Sequence, residues 1–175
     1  MQTIGSAGRL LRIGSYTVAG SYTWTLQPDV GSVVVEVVGG GGGSGYQPTG
    51  GASSFGSYCT ANGGGSAPAP GSLGGTGGTA TGGDINIRGR DGQTRSGTAL
   101  GCGGCSFLGV VGCGGDGIPN NDSGAGGGAG GYAKKSIQLS SLTQTVSIVV
   151  GSGSGIGTGS LKGRDGIVII YEYSK

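Results

Sequence analysis

The sequence contains no histidine, and this absence removes two large classes of site. Without histidine, neither a Ser-His-Asp triad nor a histidine-bound metal centre can form. Charged residues are also scarce, at 10% of 175 residues with a formal net charge of +2, so no basic stripe for nucleic acid is present. No apolar run reaches the roughly 18 residues that span a bilayer. We therefore expect no nucleic-acid partner and no membrane insertion.

Targeting and cofactor motifs are missing as well. The segment from Met1 to Gly8 has neither a basic region nor a long apolar run, unlike a secretory signal. The sequence thus predicts a protein that stays in the cytoplasm where it is made, or leaves it by cell lysis. The glycine runs match no GxxxxGK[ST] phosphate loop, and we expect no cofactor.

Glycine is what the chain has in excess, with 48 residues against an apolar content of only 34%. Of these glycines, 36 lie between Gly39 and Gly131. Such a density leaves too few side chains for an ordinary core in that tract. A conventional hydrophobic core must therefore be small and come mainly from the two ends of the chain.

Six segments have the β-branched and aromatic composition of strands. The most pronounced is Ser32–Val38, whose valines predict burial on both faces, with Glu36 pairing with a cation or reaching a rim. The other five are Arg9–Val18, Tyr22–Leu26, Gly131–Leu139, Gln144–Val150 and Ile167–Tyr173.

These strands predict an all-β protein with a small antiparallel β-sandwich or jelly-roll-like domain, built from residues 15–38 and 131–175. Residues 39–130 form a long insertion between two strands, and residues 1–14 form a docking segment. Glycines recur every third residue, as in Gly124, Gly127 and Gly130. This period is that of an extended threefold helix, in which glycine keeps its N–H donors and lacks a Cβ. We therefore expect the insertion to consist of polyglycine-II-type helices that present loops.

The acidic residues of the tract do not predict hydrolysis. Asp84, Asp91, Asp116 and Asp122 lie in turn-like settings such as Asp91-Gly92, without the paired carboxylates of a glycosidase. Asp116 to Asp122 clusters oxygen atoms that calcium could use, but this composition is also ordinary for a turn. We expect no catalytic residue.

The four cysteines leave three possibilities open. Cys59, Cys102, Cys105 and Cys113 have the count of a Cys₄ zinc site, although only one CxxC is present. Four cysteines also allow three disulfide pairings, among which the sequence cannot choose. Free thiols that pack as small apolar groups are the third possibility.

Surface binding is the function that these exclusions leave. Large side chains suited to recognition stand in the tract, although Phe55 and Phe107 are expected to plug between glycine helices. The receptor-binding candidates are Tyr46, Gln47, Arg88, Arg90, Arg95, Ile118, Pro119, Asn120 and Asn121.

The order of segments resembles the glycine-rich tail-fibre tip, adhesin and receptor-binding proteins of tailed bacteriophages. The entry YTWTLQPDVGSVVVEVVGGGGGSG, the internal GGASSFGSYCTANGGG and GGTGGTATGGDINIRGRDG, and the exit GAGGGAGGYAKKSIQL carry the likeness. The resemblance covers roughly Tyr16 to Tyr173. One departure is that the chain has no shaft repeats or heptads.

This resemblance implies a virion protein at the distal tail, made in the host cytoplasm, that binds a bacterial surface polysaccharide, outer-membrane protein or pilus. It also implies attachment to another tail or fibre protein, with the segment from Met1 to Ile13 as the natural contact, and a homotrimer or multiple copies. The alternative is a structural polyglycine-helix or ice-binding-type protein without a receptor role. Ice binding would need a strict GxxGxx repeat, which this tract repeatedly breaks.

Overall fold

The expected all-β sandwich is confirmed. A computed structural model describes residues 8–44, 48–68, 73–96, 99–117, 124–155 and 162–175. The described residues form two five-stranded sheets in which every neighbouring pair of strands is antiparallel. The strands are β1 (Leu10–Tyr16), β2 (Gly20–Thr25), β3 (Val30–Val38), β4 (Ser53–Phe55), β5 (Cys59–Ala61), β6 (Ala80–Thr81), β7 (Ile85–Ile87), β8 (Tyr132–Gln138), β9 (Thr145–Val150) and β10 (Ile167–Ser174), with a 3₁₀ turn at Leu139–Ser141.

The two sheets draw on both ends of the chain and on its middle. Sheet A has the order β1-β10-β3-β8-β7, and sheet B has the order β2-β9-β4-β5-β6. All six predicted strands are present, but β4 to β7 come from within the predicted insertion 39–130. β1 also begins inside the predicted docking segment 1–14 and pairs with β10 from Leu10 onward. Its pairing with β10 shifts register between Leu10 and Arg12.

The hydrophobic core lies between the sheets and has β3 at its centre. Val33, Val35 and Val37 of β3 are fully buried, and β3 is flanked by β10 and β8 as a central strand. Glu36 points the other way and is nevertheless buried. Its Oε1 lies 3.0 Å from Nζ of Lys134 on β8, so the predicted pairing with a cation is confirmed.

A carboxylate joins the two sheets at one edge of the core. Glu172 on β10 is buried; its Oε1 accepts the indole N–H of Trp24 on β2 at 2.7 Å. Its other oxygen accepts from Nε of Arg12 on β1 at 2.6 Å. Arg12 also donates to both carboxylate oxygens of Asp29, and these two carboxylates raise its pKa. The buried charge of Glu172 therefore has partners on both oxygens, as burial requires.

Beyond the sheets, glycine-rich segments pack side by side as extended rods. The rod 124–131 is buried along its whole length, and residues three apart in it bond to the same neighbour. Gly126 and Ala129, for example, donate to carbonyls of the rod 88–93 at 3.0 and 2.9 Å. The rod donates to three segments and accepts from three others. These six neighbours are 39–43, 62–67, 74–79, 88–93, 101–104 and 112–117.

The period of three residues is that of the threefold helix expected for glycine. The ring of six rods is also bonded around its circumference, for instance from Gly114 N to Gly104 O at 3.0 Å. Glycine is required because the rods approach backbone to backbone. A Cβ built on Gly127 would collide with the carbonyl of Gly42, and one on Gly130 with that of Gly39. The bundle is thus held by main-chain hydrogen bonds instead of side-chain packing.

Candidate receptor-binding end

The rods run between the sheets and a far end, which we call the distal end. The rod 39–43 leaves β3, and the rod 124–131 returns to β8. Gly39 bonds to Gly131 beside the sheets, and Gly42 bonds to Gly128 farther out. Other rods leave and return in the same way. Five internal segments lie outside the described residues, namely 45–47, 69–72, 97–98, 118–123 and 156–161. In each case the chain before the segment runs away from the sheets, and the chain after it runs back toward them.

Six of the nine receptor-binding candidates fall in those connections. Tyr46 and Gln47 lie in one of them, and residues 118–121, from Ile118 through Pro119 and Asn120 to Asn121, lie in another, all outside the described residues. The described residues on either side, Ser44 and Gly124 among them, lie at the distal end. The candidates are therefore attached by chain connectivity to one end of the bundle.

The three arginines of the candidate set are not gathered in one place. Arg88 and Arg90 lie in the rod that follows β7, whereas Arg95 is at the distal end, where its side chain lies over Gly124. At about 3.1 Å per residue, Arg88 and Arg95 are roughly 20 Å apart along the rod. The structure thus separates these side chains along the bundle.

Arg88 has a structural partner instead. Its Nη2 lies 2.6 Å from Oδ1 of Asp91, and the same oxygen accepts the backbone N–H of Gly77 in the neighbouring rod at 2.6 Å. The Gly77 N–H, followed by Arg88, lowers the pKa of Asp91. Arg88 therefore supports a contact between rods. Arg90, the other arginine of this rod, is exposed and forms no ion pair with any described residue.

The contact made by Asp91 recurs at two other Asp-Gly dipeptides. Asp116 accepts the N–H of Gly103 at 2.7 Å, and Asp165 accepts the N–H of Gly153 at 2.7 Å. None of these three aspartates lies in a turn, so the expectation of turn-like settings was wrong for Asp91 and Asp116. In a rod at the surface of the bundle, the N–H groups that face outward have no neighbouring rod to supply a carbonyl. A carboxylate from the adjacent rod accepts the hydrogen bond of one of these N–H groups instead. The recurrence of Asp-Gly was the signal that sequence reasoning missed.

The cysteines do not assemble a metal site among the described residues. Cys59 is buried in β5, where burial raises the pKa of its thiol to about 11. Cys102 and Cys105 are exposed on the rod 101–104 and just after it, and Cys113 is partly buried on the rod 112–117. The oxygen cluster that begins at Asp116 has its remaining members outside the described residues.

The two phenylalanines, Phe55 and Phe107, lie toward the sheets. Phe55 is fully buried in β4, where its ring packs 5.8 Å from Trp24 and 5.8 Å from Tyr58, so the expectation that it plugs between glycine helices was wrong. Phe107 is 59% exposed, with its ring 4.6 Å from that of Tyr132 at the start of β8. It is not inserted between rods either.

A cleft of about 750 Å³ runs along the side of the bundle between the rod 112–117 and residues 162–167. Its lining combines apolar side chains of Val110 and Ile167 with two cations, Lys162 and Arg164, and two carboxylates, Asp116 and Asp165. Neither cation has an ion-pair partner among the described residues. The cleft therefore presents charged groups of both signs beside apolar side chains, along the flank of the bundle that reaches the sheets.

Across the described residues, the structure has no helix long and apolar enough to cross a bilayer. Comparison with family models, curated protein sequences and solved structures found no match.

Proposed function

We propose that this protein is a structural component of a bacteriophage virion, located at the distal end of the tail or tail fibre, that binds a receptor on the bacterial surface. The observation that carries the proposal is the arrangement of the chain. The described rods on both sides of each of the five segments 45–47, 69–72, 97–98, 118–123 and 156–161 end opposite the sheets, in a hydrogen-bonded bundle. Loops on a rigid support suit recognition because their sequence can change without disturbing the support.

The rod bundle supplies the rigidity that such loops need. Ordering a loop on binding costs conformational entropy, and a fixed anchor at both ends of each loop lowers that cost. Every connection has both of its anchors in rods that bond to neighbours. The side cleft, where Lys162 and Arg164 stand with Asp116 and Asp165, adds a polar place for the hydroxyl groups of a surface polysaccharide.

The sheet end is the side that faces the rest of the tail in this proposal. β1 is an edge strand of sheet A, and its side chains of Leu10 and Ile13 are 44% and 58% exposed. An exposed edge strand with apolar side chains favours pairing with another chain. Attachment there leaves the distal end free for the receptor.

The test replaces residues 46–49 or 118–123 with Gly-Ser segments of equal length. A matched control replaces residues 82–84, the turn between β6 and β7 at the sheet end, with a Gly-Ser segment of equal length. Labelled protein is added to a panel of bacterial strains, and bound protein and melting temperature are both measured. We expect the distal replacements to abolish binding without lowering the melting temperature, while the control keeps its binding.

Two outcomes would contradict the proposal. Distal replacements that melt early but bind as before would make those segments structural. Absence of binding to every strain, together with thermal hysteresis in ice-growth assays, would favour the ice-binding alternative.

A further inference from the structure

Two of the four cysteines face each other across adjacent rods. The rods 101–104 and 112–117 are antiparallel, because Gly117 N donates to Gly101 O at 2.9 Å and Gly114 N donates to Gly104 O at 3.0 Å. The next pair toward the sheets in this register is Cys105 and Cys113. The Cys113 thiol donates to the carbonyl of Gly109, in the loop between the two cysteines, at 2.6 Å. The pairing of Cys105 with Cys113 therefore follows from the backbone register.

The same geometry excludes the other pairs. Cys102 and Cys105 are three residues apart on one extended rod, which places them about 9 Å apart at 3.1 Å per residue. A disulfide needs Cα atoms within about 7 Å. Cys102 lies opposite Asp116 in the antiparallel register, and Cys59 is buried in sheet B. The CxxC spacing is therefore not the reactive pair.

We propose that Cys105 and Cys113 form an intramolecular disulfide when the protein meets a disulfide oxidant such as oxidised glutathione. The thiolate of the exposed Cys105 attacks one sulfur of the oxidant, forms a mixed disulfide and releases one glutathione thiolate. Cys113 then loses its proton, and its sulfur attacks the sulfur of Cys105, releasing the second glutathione. Two protein thiols are oxidised, and one glutathione disulfide is reduced to two thiols.

The bond would close the loop of residues 106–112 at its base. This loop covers a small apolar cluster, in which Leu108 and Val111 pack against Val38, Tyr132 and Ile167. The cluster lies where the rods meet the sheets. A cross-link restricts the unfolded chain and so stabilises the folded state. The inference does not depend on the proposed receptor, because it rests on contacts within the chain.

The reactivity has a predictable pH dependence. Burial, followed by the neighbouring Cys105 thiol as a smaller contribution, raises the pKa of Cys113, whereas hydrogen bonding and the charge of Arg164 lower it. Because the raised pKa keeps Cys113 protonated near neutral pH, the closing step is expected to accelerate as the pH rises.

The experiment oxidises the reduced full-length chain with oxidised glutathione at pH 8 and maps the products by non-reducing mass spectrometry. We expect a loss of two hydrogens, a single Cys105–Cys113 link and a rise in melting temperature of about 5 to 10 °C that reductant reverses. Cys102→Ser should form the same link, and Cys105→Ser should not. Links through Cys102, intermolecular dimers, or Cys105 and Cys113 that both remain free after equilibration would overturn the proposal.

Discussion

Replacing Gly127 with alanine tests whether the rods are held together by their backbones. Gly127 lies in the middle of the rod 124–131, and an added Cβ would meet the carbonyl groups of Gly42 and Gly43. Both obstacles are backbone atoms, which cannot rotate away as a side chain can. The rod 39–43 must therefore move outward until the distance from the new Cβ to the carbonyl oxygen of Gly42 reaches that of an ordinary carbon–oxygen contact.

The magnitude follows from the hydrogen bonds that this movement breaks. Two bonds hold these rods together, Gly42 N to Gly128 O at 2.9 Å and Gly39 N to Gly131 O at 3.1 Å. Losing one leaves a buried donor and a buried acceptor unpaired, at roughly 1–3 kcal/mol for each group. Reduced entropy of the unfolded chain offsets about 0.4–1 kcal/mol. We expect a net loss of about 3 kcal/mol, or a fall in melting temperature of roughly 6–12 °C.

The matched control is Gly14→Ala in β1, because nothing lies within 4 Å of a Cβ at that position. Urea unfolding and thermal melts of both variants give the comparison. We expect Gly14→Ala to stay within about 0.5 kcal/mol of the parent protein. If Gly127→Ala unfolds at the same urea concentration as Gly14→Ala, the close packing of the rods is refuted.

Two further predictions concern carboxylates. Asp91→Ala should lower the melting temperature at pH 7, and Asp91→Asn, which keeps an acceptor, should lower it less. Folding depresses the pKa of Asp91. The stability that this carboxylate contributes is therefore present above the unfolded-state pKa of about 3.9 and is lost as the pH falls through the folded-state pKa. A gap between parent and Asp91→Ala that stays constant from pH 7 to pH 2 would contradict this. Glu172→Ala should cost about 1–3 kcal/mol in urea unfolding, because it leaves the buried indole N–H of Trp24 unpaired. Asp29→Ala, at the exposed side of the same network, should change stability less, and equal effects would argue against the bridge between the sheets.

The sequence predicted the six long strands because each carries its own signal. The valines of β3 and the alternation of β9 are local patterns, and they locate the sandwich without knowledge of the partners. The structure adds that β3 pairs with β8, the two strands that bracket the glycine-rich tract. The cost of burying a lone charge led to two expectations for Glu36, a position at a rim or a cation partner, and the structure shows the cation partner.

The four short strands could not be predicted in the same way. β4 to β7 have two or three residues each, which is too short to show a period of two. They are strands because they lie beside β9 and β8, so their structure is decided by tertiary pairing. Phe55 was misplaced for the same reason, since its burial depends on a pairing that its glycine-rich surroundings do not indicate.

The sequence predicted the candidate site as a set of segments, and the binding role of these segments stays a prediction. Composition separated rods from connections, so Tyr46 and Asn120 were assigned to connections. It did not separate Arg88, which belongs to a rod, from Arg95, which lies at the distal end. The role of Asp91 was hidden because an Asp-Gly pair looks the same in a turn and in a rod; only the neighbouring N–H distinguishes the two.

The most direct test of the account is amide hydrogen exchange in the rod 124–131. Six consecutive amides, from Gly126 to Gly131, donate to six carbonyls in three neighbouring rods. These bonds predict exchange as slow as that of β3 in the centre of sheet A, with protection lost only on global unfolding. Exchange at the rate of an unstructured peptide would mean that the rods do not hold together, and the rigid support for the distal segments would not exist.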